Sequence, residues 1–443
     1  MKYVIIGGDA AGMSAAMQIV RNVEGAEVTT LEAGGIYSYA QCGLPYIVGG
    51  EVEHTEKLIA RDVETFREKY GIDARVFHQA EAVDTAKQVV SGQDKETGMS
   101  FELPYDKLLI ASGGSPVLPD VPGRTLKGVH TLKTIPDIEA IDADLDDVHD
   151  VTIIGGGYIG LELAENLIET GRNVRIIERN NRIAKMFDPD MTPLIHEEAG
   201  KHGVELCLGE SVEVLEGVQR IQAVQTTGGW YDTDLVIAAT GIRPNTDFLE
   251  NTGIQLRHNG AVQVDAWMRT NVDHVYAAGD CAVQYHRIKE RDDYVPLGTH
   301  ANKQGRAAGK NMAGIPKQFQ GIVGTSILRF FDLTLAKTGL NEAEAEAMAF
   351  PFDTVIHETV DKAGYFEGKK PLTLKLLYRT DTKEVIGGQV IGESSGAAKR
   401  IDVLAVTLFH RMTLDDYEDL DLSYAPPYNG VWDPIQQTVR RAT

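Results

Sequence analysis

One pattern occurs twice in this chain, roughly 150 residues apart, and it restricts the fold more than any other feature. The first copy is a strand, Tyr3–Ile6, a turn, Gly7-Gly8-Asp9-Ala10-Ala11-Gly12, an apolar helix to about Arg21, and a strand, Glu27–Leu31, ending at Glu32. The second is Val151–Ile154, then Gly155-Gly156-Gly157-Tyr158-Ile159-Gly160, a helix to about Glu169, and Asn173–Ile177, ending at Glu178. Strands joined through a helix run parallel, so each copy predicts a βαβ unit in an α/β domain. The glycines permit a tight turn with close backbone approach, and an acid lies about 20 positions further on. Together these are the fingerprint of a dinucleotide site. A single GxGxxG carries little weight, but two in matching context carry much. The first copy departs from the pattern at Asp9, where the middle glycine is expected, and a side chain there is expected to narrow the pyrophosphate approach.

Three more segments read as strand ends meeting a nucleotide: Leu108–Gly114, containing Ala111-Ser112-Gly113, then Val236–Gly241, and Val275–Asp280. Small residues at the carboxyl ends of parallel strands admit a ligand, and Asp280 is placed to accept from a ribityl hydroxyl. From about Gln320 the texture changes. Strands are predicted at Val323–Leu328, Leu333–Thr338, Ala349–Thr359, Leu372–Tyr378 and Val385–Ile391, with a helix around Ala397–Phe409. This α+β segment has no nucleotide turn and reads as a substrate or oligomerisation domain. The expected organisation is one dinucleotide-type unit from 1–112 and 245–320, a second from 113–244, and a third domain from 321–443.

The bulk properties limit the alternatives. The 443 residues suit two or three domains. A net charge of −22 argues against nucleic acid, and an anionic ligand would need a local basic patch. No apolar run of about 18 residues suggests a membrane span. Three cysteines are too few for a disulfide framework and suit a reducing compartment. The chain opens directly on a strand, so no signal peptide is expected, and the location is expected to be cytoplasmic. No metal site is expected.

Cys42 stands in Ser38-Tyr39-Ala40-Gln41-Cys42-Gly43-Leu44-Pro45-Tyr46, with no second cysteine nearby, since the others are Cys207 and Cys281. Its redox partner is therefore a flavin, an oxygen species or a thiol from another molecule. Cys207 and Cys281 have no activating neighbours in sequence and read as structural.

The order of first glycine turn, cysteine, second glycine turn, Ala-Ala-Gly-Asp and α+β domain resembles the pyridine nucleotide-disulfide oxidoreductase superfamily along essentially the whole chain. The resemblance implies two Rossmann-like domains and a C-terminal dimerisation domain. It implies FAD contacts at Gly7, Gly8, Ala11, Gly12, Glu32, Ala111, Ser112, Gly113, Asp280 and Ala301. Nicotinamide-nucleotide contacts are implied at Gly155, Gly157, Tyr158, Ile159, Gly160, Glu162, Glu178 and Gly241. Tyr158 is expected to cover the flavin and swing aside, and Glu162 to hold the carboxamide. The paired cysteines of the glutathione-reductase-like members are absent, because Ile47 stands five residues after Cys42. The chain is similar instead to the single-cysteine branch of NADH oxidases, NADH peroxidases and coenzyme A-disulfide reductases. The oxidases and peroxidases carry a histidine in the first turn, where this chain has Ala10 and Ala11. The coenzyme A-disulfide reductases carry two C-terminal tyrosines that reach the other subunit's site, and Tyr365 and Tyr424 fit those places. No rhodanese-like extension is expected after Thr443.

This resemblance implies a homodimer with shared active sites. It also implies that NAD(P)H reduces FAD and that the flavin in turn reduces a mixed disulfide between Cys42 and coenzyme A. A lowered Cys42 pKa is expected, from the flavin and from the start of a short helix. Tyr365 and Tyr424 are expected to protonate the departing thiolate, and Asn302 to orient sulfur or substrate. Ser38, Arg21, Arg61, Lys303 and Arg306 are candidates for the coenzyme A groove. Glu178 favours NADH, while Arg179 and Arg182 leave NADPH open. The alternatives are an NADH oxidase or peroxidase working through a Cys42 sulfenic acid, and a flavoprotein whose redox partner is another protein.

Overall fold

The computed structural model describes residues 1–442. The first βαβ unit belongs to a five-stranded parallel sheet ordered Val275–Ala277, Lys107–Ile110, Lys2–Ile6, Glu27–Leu31, Asp73–Arg75. The second belongs to another, ordered Glu205–Leu208, Asn173–Glu178, Asp150–Ile154, Leu235–Ala238, Val129–Thr131. Their central strands are mostly apolar runs, buried from their second residue on where they open on Lys2 and Asp150, as parallel strands covered on both faces require. Register aligns the carboxyl ends. Ile6 pairs with Leu31 and Ile110, and Ala277 pairs with Ile110. The segments that follow, at Gly7, Glu32, Ala111 and Ala278, therefore emerge along one edge. The second sheet repeats this, with Ile154 beside Ile177 and Ala238.

Each unit also inserts a three-stranded antiparallel meander, spanning residues 78–104 in the first and 212–232 in the second. The sequence reading did not mark these, because their faces are only partly buried and their hydrophobic alternation is weak.

The C-terminal part is a five-stranded antiparallel sheet ordered Ser326–Phe330, Leu333–Gly339, Val385–Gly392, Pro371–Arg379, Phe352–Val360. The predicted strands are all present, the first displaced by a few residues toward the carboxyl end. The helix Gly396–Phe409 packs on Val385–Gly392, where Gly388 leaves room for Leu404.

One hydrophobic core crosses the boundaries of these units. Leu44, Val48 and Leu58, from the cysteine segment, pack with Leu161 and Leu163 of the second unit and with Leu328 and Phe330 of the third. A polar knot supports the same junction. Lys375 is wholly buried, with its Nζ 3.2 Å from Asp188, 2.6 Å from Asp190, and paired with Glu342. No described helix is long and apolar enough to cross a membrane.

Candidate active site

The two glycine turns have the same build. Gly7 has φ +117° and Gly155 φ +109°. A Cβ on Gly7 would lie 2.1 Å from the Ala111 carbonyl oxygen, and one on Gly155 2.6 Å from that of Ala239. Gly12 and Gly160 each pack where a Cβ would fall about 2 Å from the carbonyl oxygen of the turn's first glycine. Glu32 accepts from the Gly8 amide at 2.9 Å, and Glu178 accepts from the Gly156 amide at 3.0 Å. The helices Ala10–Asn22 and Tyr158–Glu169 both start without a side-chain cap. Uncapped first-turn amides above a glycine cradle fit a pyrophosphate. Asp9 does not crowd this approach, because its carboxylate turns away to the Tyr39 amide and the Gln41 side chain.

Helix Gly298–Met312 crosses Ala10–Asn22 at backbone contact distance. A Cβ on Gly305 would lie 2.1 Å from the Ala11 carbonyl oxygen, and one on Gly309 2.4 Å from that of Ala15. This crossing brings Ala301 and Asn302 to the first turn. Asn302 accepts from the Ser14 hydroxyl at 2.8 Å and donates to the Gly298 carbonyl at 3.0 Å, so its hydrogen bonds brace the two helices. Asp280 accepts from Lys133 Nζ at 2.9 Å, a partner that sequence reasoning missed because it comes from 147 positions away.

Between the crossed helices lies a cavity of about 400 Å³. Its lining holds Arg21, Arg61, Lys303 and Arg306, together with Ser38, and contains no acid. None of the four cations forms an ion pair with another described residue, while Arg61 lies 5.4 Å from the Phe66 ring centroid and 5.2 Å from that of Tyr70. In a chain of net charge −22 this is a local basic patch of the kind an anion needs.

Cys42 lies on the loop that borders this cavity at Ser38, inside the single turn Gln41–Gly43. The residue is exposed, while Cys207 and Cys281 are buried. The expected pKa depression is not supplied by the protein groups. Burial around the sulfur pushes the thiol up, the Glu162 carboxylate adds to this, and Lys133 acts in the opposite sense. The short helix Pro45–Val48 begins three residues after Cys42, and its first residue, a proline, has no N–H to offer.

Glu162 stands one turn into the second unit's helix, its pKa raised to about 7 by burial and by the charge of Glu165, with Arg329 opposing. The Tyr158 hydroxyl is tied to Ser326 of the third sheet at 2.5 Å. Ile159 and Gly241 flank the second turn, and no atom lies within 4 Å of a Cβ placed on Gly157 or Gly241. Arg329 joins the three parts, pairing with Glu165 and Glu51 and lying 5.5 Å from the Tyr46 ring centroid.

Residues 1–305 match the family described as pyridine nucleotide-disulphide oxidoreductase, and residues 325–434 match its dimerisation domain. The chain belongs to the pyridine nucleotide-disulphide oxidoreductase family. It is an enzyme of a family that works with FAD and NAD(P)H, and the two cradles above fit those groups. It is 40% identical to an NAD(P)H sulfur oxidoreductase (CoA-dependent) of Pyrococcus abyssi, covering 98% of this chain and 96% of that protein. It is 31% identical to a coenzyme A disulfide reductase of Staphylococcus aureus, covering 97% and 96%. An NADH oxidase of Methanocaldococcus jannaschii is 30% identical, covering 98% and 97%. Among solved structures, an NAD-dependent persulfide reductase from A. fulgidus superposes with TM-score 0.97 at 35% identity, covering 100% of this chain and 83% of that one.

The structure also brings together two predicted residues outside the cavity. Tyr365 and Tyr424 come from separate loops of the third domain, both exposed, and neither lines the cavity of its own subunit.

Proposed function

We propose that this enzyme reduces coenzyme A disulfide, or a persulfide or related low-molecular-weight disulfide of coenzyme A, at the expense of NAD(P)H. The observation that carries the reading is the four-cation cavity beside the Cys42 loop, which suits a thiol carrier bearing several phosphates. The Cys42 thiolate attacks one sulfur of the disulfide, forming a Cys42–coenzyme A disulfide and releasing one coenzyme A thiolate, which takes up a proton. Bound FAD and NAD(P)H supply the two electrons that break this second disulfide, releasing another coenzyme A and returning Cys42 to the thiolate. The balance is one disulfide, one NAD(P)H and one proton to two thiols and NAD(P)+. Exchange of this kind needs an attacking thiolate and a stabilised leaving thiolate.

The site roles belong to the same proposal. Arg21, Arg61, Lys303, Arg306 and Ser38 hold the substrate. The first cradle, with Asp280 and Ala301, holds FAD, and the second, with Glu162 and Glu178, holds NAD(P)H. Asn302 positions the helix that lines the cavity. The dimerisation domain builds a homodimer in which Tyr365 and Tyr424 serve the partner's Cys42 as proton donors. The domain boundaries follow as 1–112 with 245–320, 113–244, and 321–443, and the cytoplasm suits the three free cysteines. Ala10 and Ala11 supply no acid–base group for a sulfenic acid, which disfavours the peroxidase reading.

Mass spectrometry of the intact, unreduced protein tests this. A coenzyme A adduct on the Cys42 peptide that reductant removes is the expected result. A bare or singly oxygenated Cys42 would move the assignment to oxygen or peroxide reduction.

A further inference from the structure

Asp9 occupies the residue before helix Ala10–Asn22, where an aspartate ordinarily accepts from the first-turn amides. It makes no such bond. Its carboxylate accepts instead from the Tyr39 amide at 3.2 Å and from Gln41 Nε2 at 2.7 Å. Beside these, the Ser38 amide donates to the Gly8 carbonyl at 3.0 Å. Ser38 holds φ +47°, an uncommon conformation for a residue with a side chain, at the point where the two segments cross. Residues 8–9 and 38–41 are therefore joined by three hydrogen bonds, and the residue after Gln41 is Cys42. The glycine expected at position 9 would leave Gln41 and the Tyr39 amide without this acceptor, so the nucleotide turn itself has no use for the carboxylate.

We propose that Asp9 is a positioning residue for Cys42, holding the thiol's loop through Gln41 and Tyr39 and setting, as a nearby negative charge, how readily the thiol ionises. The inference rests on the reading of Cys42 as the redox thiol.

Burial raises Asp9 to about pH 6 against the pull of its two hydrogen bonds. The charged groups facing it are Glu32, from the strand end of its own unit, and Lys133, from the segment before helix Ile135–Asp144. The cysteine loop contributes Tyr39, Gln41 and Cys42. Above about pH 6 the ionised carboxylate accepts both bonds and adds to burial, Glu162 and Asp280 in holding the Cys42 thiol up, against Lys133. Below it, protonation turns one acceptor oxygen into a donor, and the brace loosens. A thiol held up in this way gives a more nucleophilic thiolate once ionised.

The test uses the FAD-loaded enzyme with Cys42 freed by reductant. Carbamidomethylation of Cys42 by iodoacetamide is followed by peptide mass spectrometry from pH 5 to 10, alongside steady-state disulfide reduction. Asp9→Asn keeps the shape and removes the charge. Its alkylation midpoint is expected to fall below the wild-type value. Gln41→Ala keeps the charge and removes the side-chain bond of the brace nearest Cys42. Its midpoint is expected to stay at the wild-type value while kcat falls about tenfold at unchanged KM. A merely structural Asp9 would leave the Asp9→Asn midpoint where it is, and that result overturns the proposal. If Asp9 variants lose FAD, Gln41→Ala decides, because it lies outside the turn: an unchanged kcat overturns the proposal and a lowered one supports it. Wild-type Cys42 that resists alkylation at every pH would instead overturn the redox reading beneath it.

Discussion

The hydroxyls of Tyr365 and Tyr424 meet at 3.4 Å although 59 positions separate them. Their loops are stitched by the Ala363 amide, which donates to the Pro426 carbonyl at 3.3 Å. The hydrogen bond with Tyr424 raises the Tyr365 phenol above its ordinary pKa, as expected where Tyr365 is the donor. In the proposed mechanism, two exposed phenols joined in this way act as one proton-donating unit. Tyr424→Phe is expected to slow the second thiol release by about a hundredfold, the lower range for a removed general acid, and to leave the NAD(P)H half-reaction unchanged. Rapid-mixing measurement of the two half-reactions checks this. The double Phe variant should lose little more than either single one, since the pair acts together.

Cys42→Ser removes the proposed nucleophile and almost nothing else, because the residue is exposed and its hydroxyl replacement demands no new packing. Flavin content and thermal midpoint are expected to match the wild type, with disulfide turnover abolished. Full turnover in this variant would end the assignment of Cys42.

Each cavity cation is expected to contribute through a phosphate. Arg21→Ala and Arg306→Ala should each raise KM for coenzyme A disulfide about tenfold, the loss of one hydrogen bond to a charged group. A disulfide without phosphates should show no such change. KM for the coenzyme A substrate should also rise with ionic strength, and less so in the variants.

Glu162 makes stability depend on pH. Its carboxyl ordinarily titrates at 4.5 and in the fold at about 7. The folded state therefore holds a proton across that window that the unfolded chain has lost. This stabilisation is complete below about pH 4.5 and is lost as pH rises through about 7. Glu162→Gln should flatten that decline and leave the protein more stable than wild type at pH 8, by on the order of 2 kcal/mol, with little difference at pH 5. Thermal midpoints at the two pH values give the comparison.

Lys375 is the buried cation of a cluster with the buried Asp188 and the more exposed Asp190 and Glu342. Lys375→Met keeps much of the volume and leaves three carboxylates without their counter-ion. It is expected to cost on the order of 3–5 kcal/mol, seen as a fall in the denaturation midpoint. A midpoint at or above the wild type would show that the cluster contributes nothing to the junction between the second unit and the third domain.

Both βαβ units were legible because turn, helix and strand periodicity are local. Gly7, Gly12, Gly155 and Gly160 are demanded by contacts within a few tens of residues, apart from the approaches to Ala111 and Ala239. The third domain's strands were legible for the same reason, and its first strand was misplaced by a few residues because Val323 and Phe330 are apolar alike. The meanders were not legible, since half-exposed strands such as Ser100–Pro104 carry a weak alternating signal.

The sequence by itself determined the fold class and the two glycine turns, and it singled out Cys42 as the candidate thiol, because these depend on short stretches whose backbone and side-chain chemistry are read directly. Tertiary structure alone decided the rest. It gathered Arg21, Arg61, Lys303 and Arg306 around one cavity, through a glycine-lined helix crossing that joins residues nearly 300 positions apart. It turned Asp9 from its helix toward Gln41, and it buried the Cys42 sulfur, with the Glu162 carboxylate adding to that effect, so that the thiol's pKa shifts opposite to the expected direction. The physical reason is range. Charge and burial act through space between segments distant in sequence, whereas turn and helix signals act along the chain.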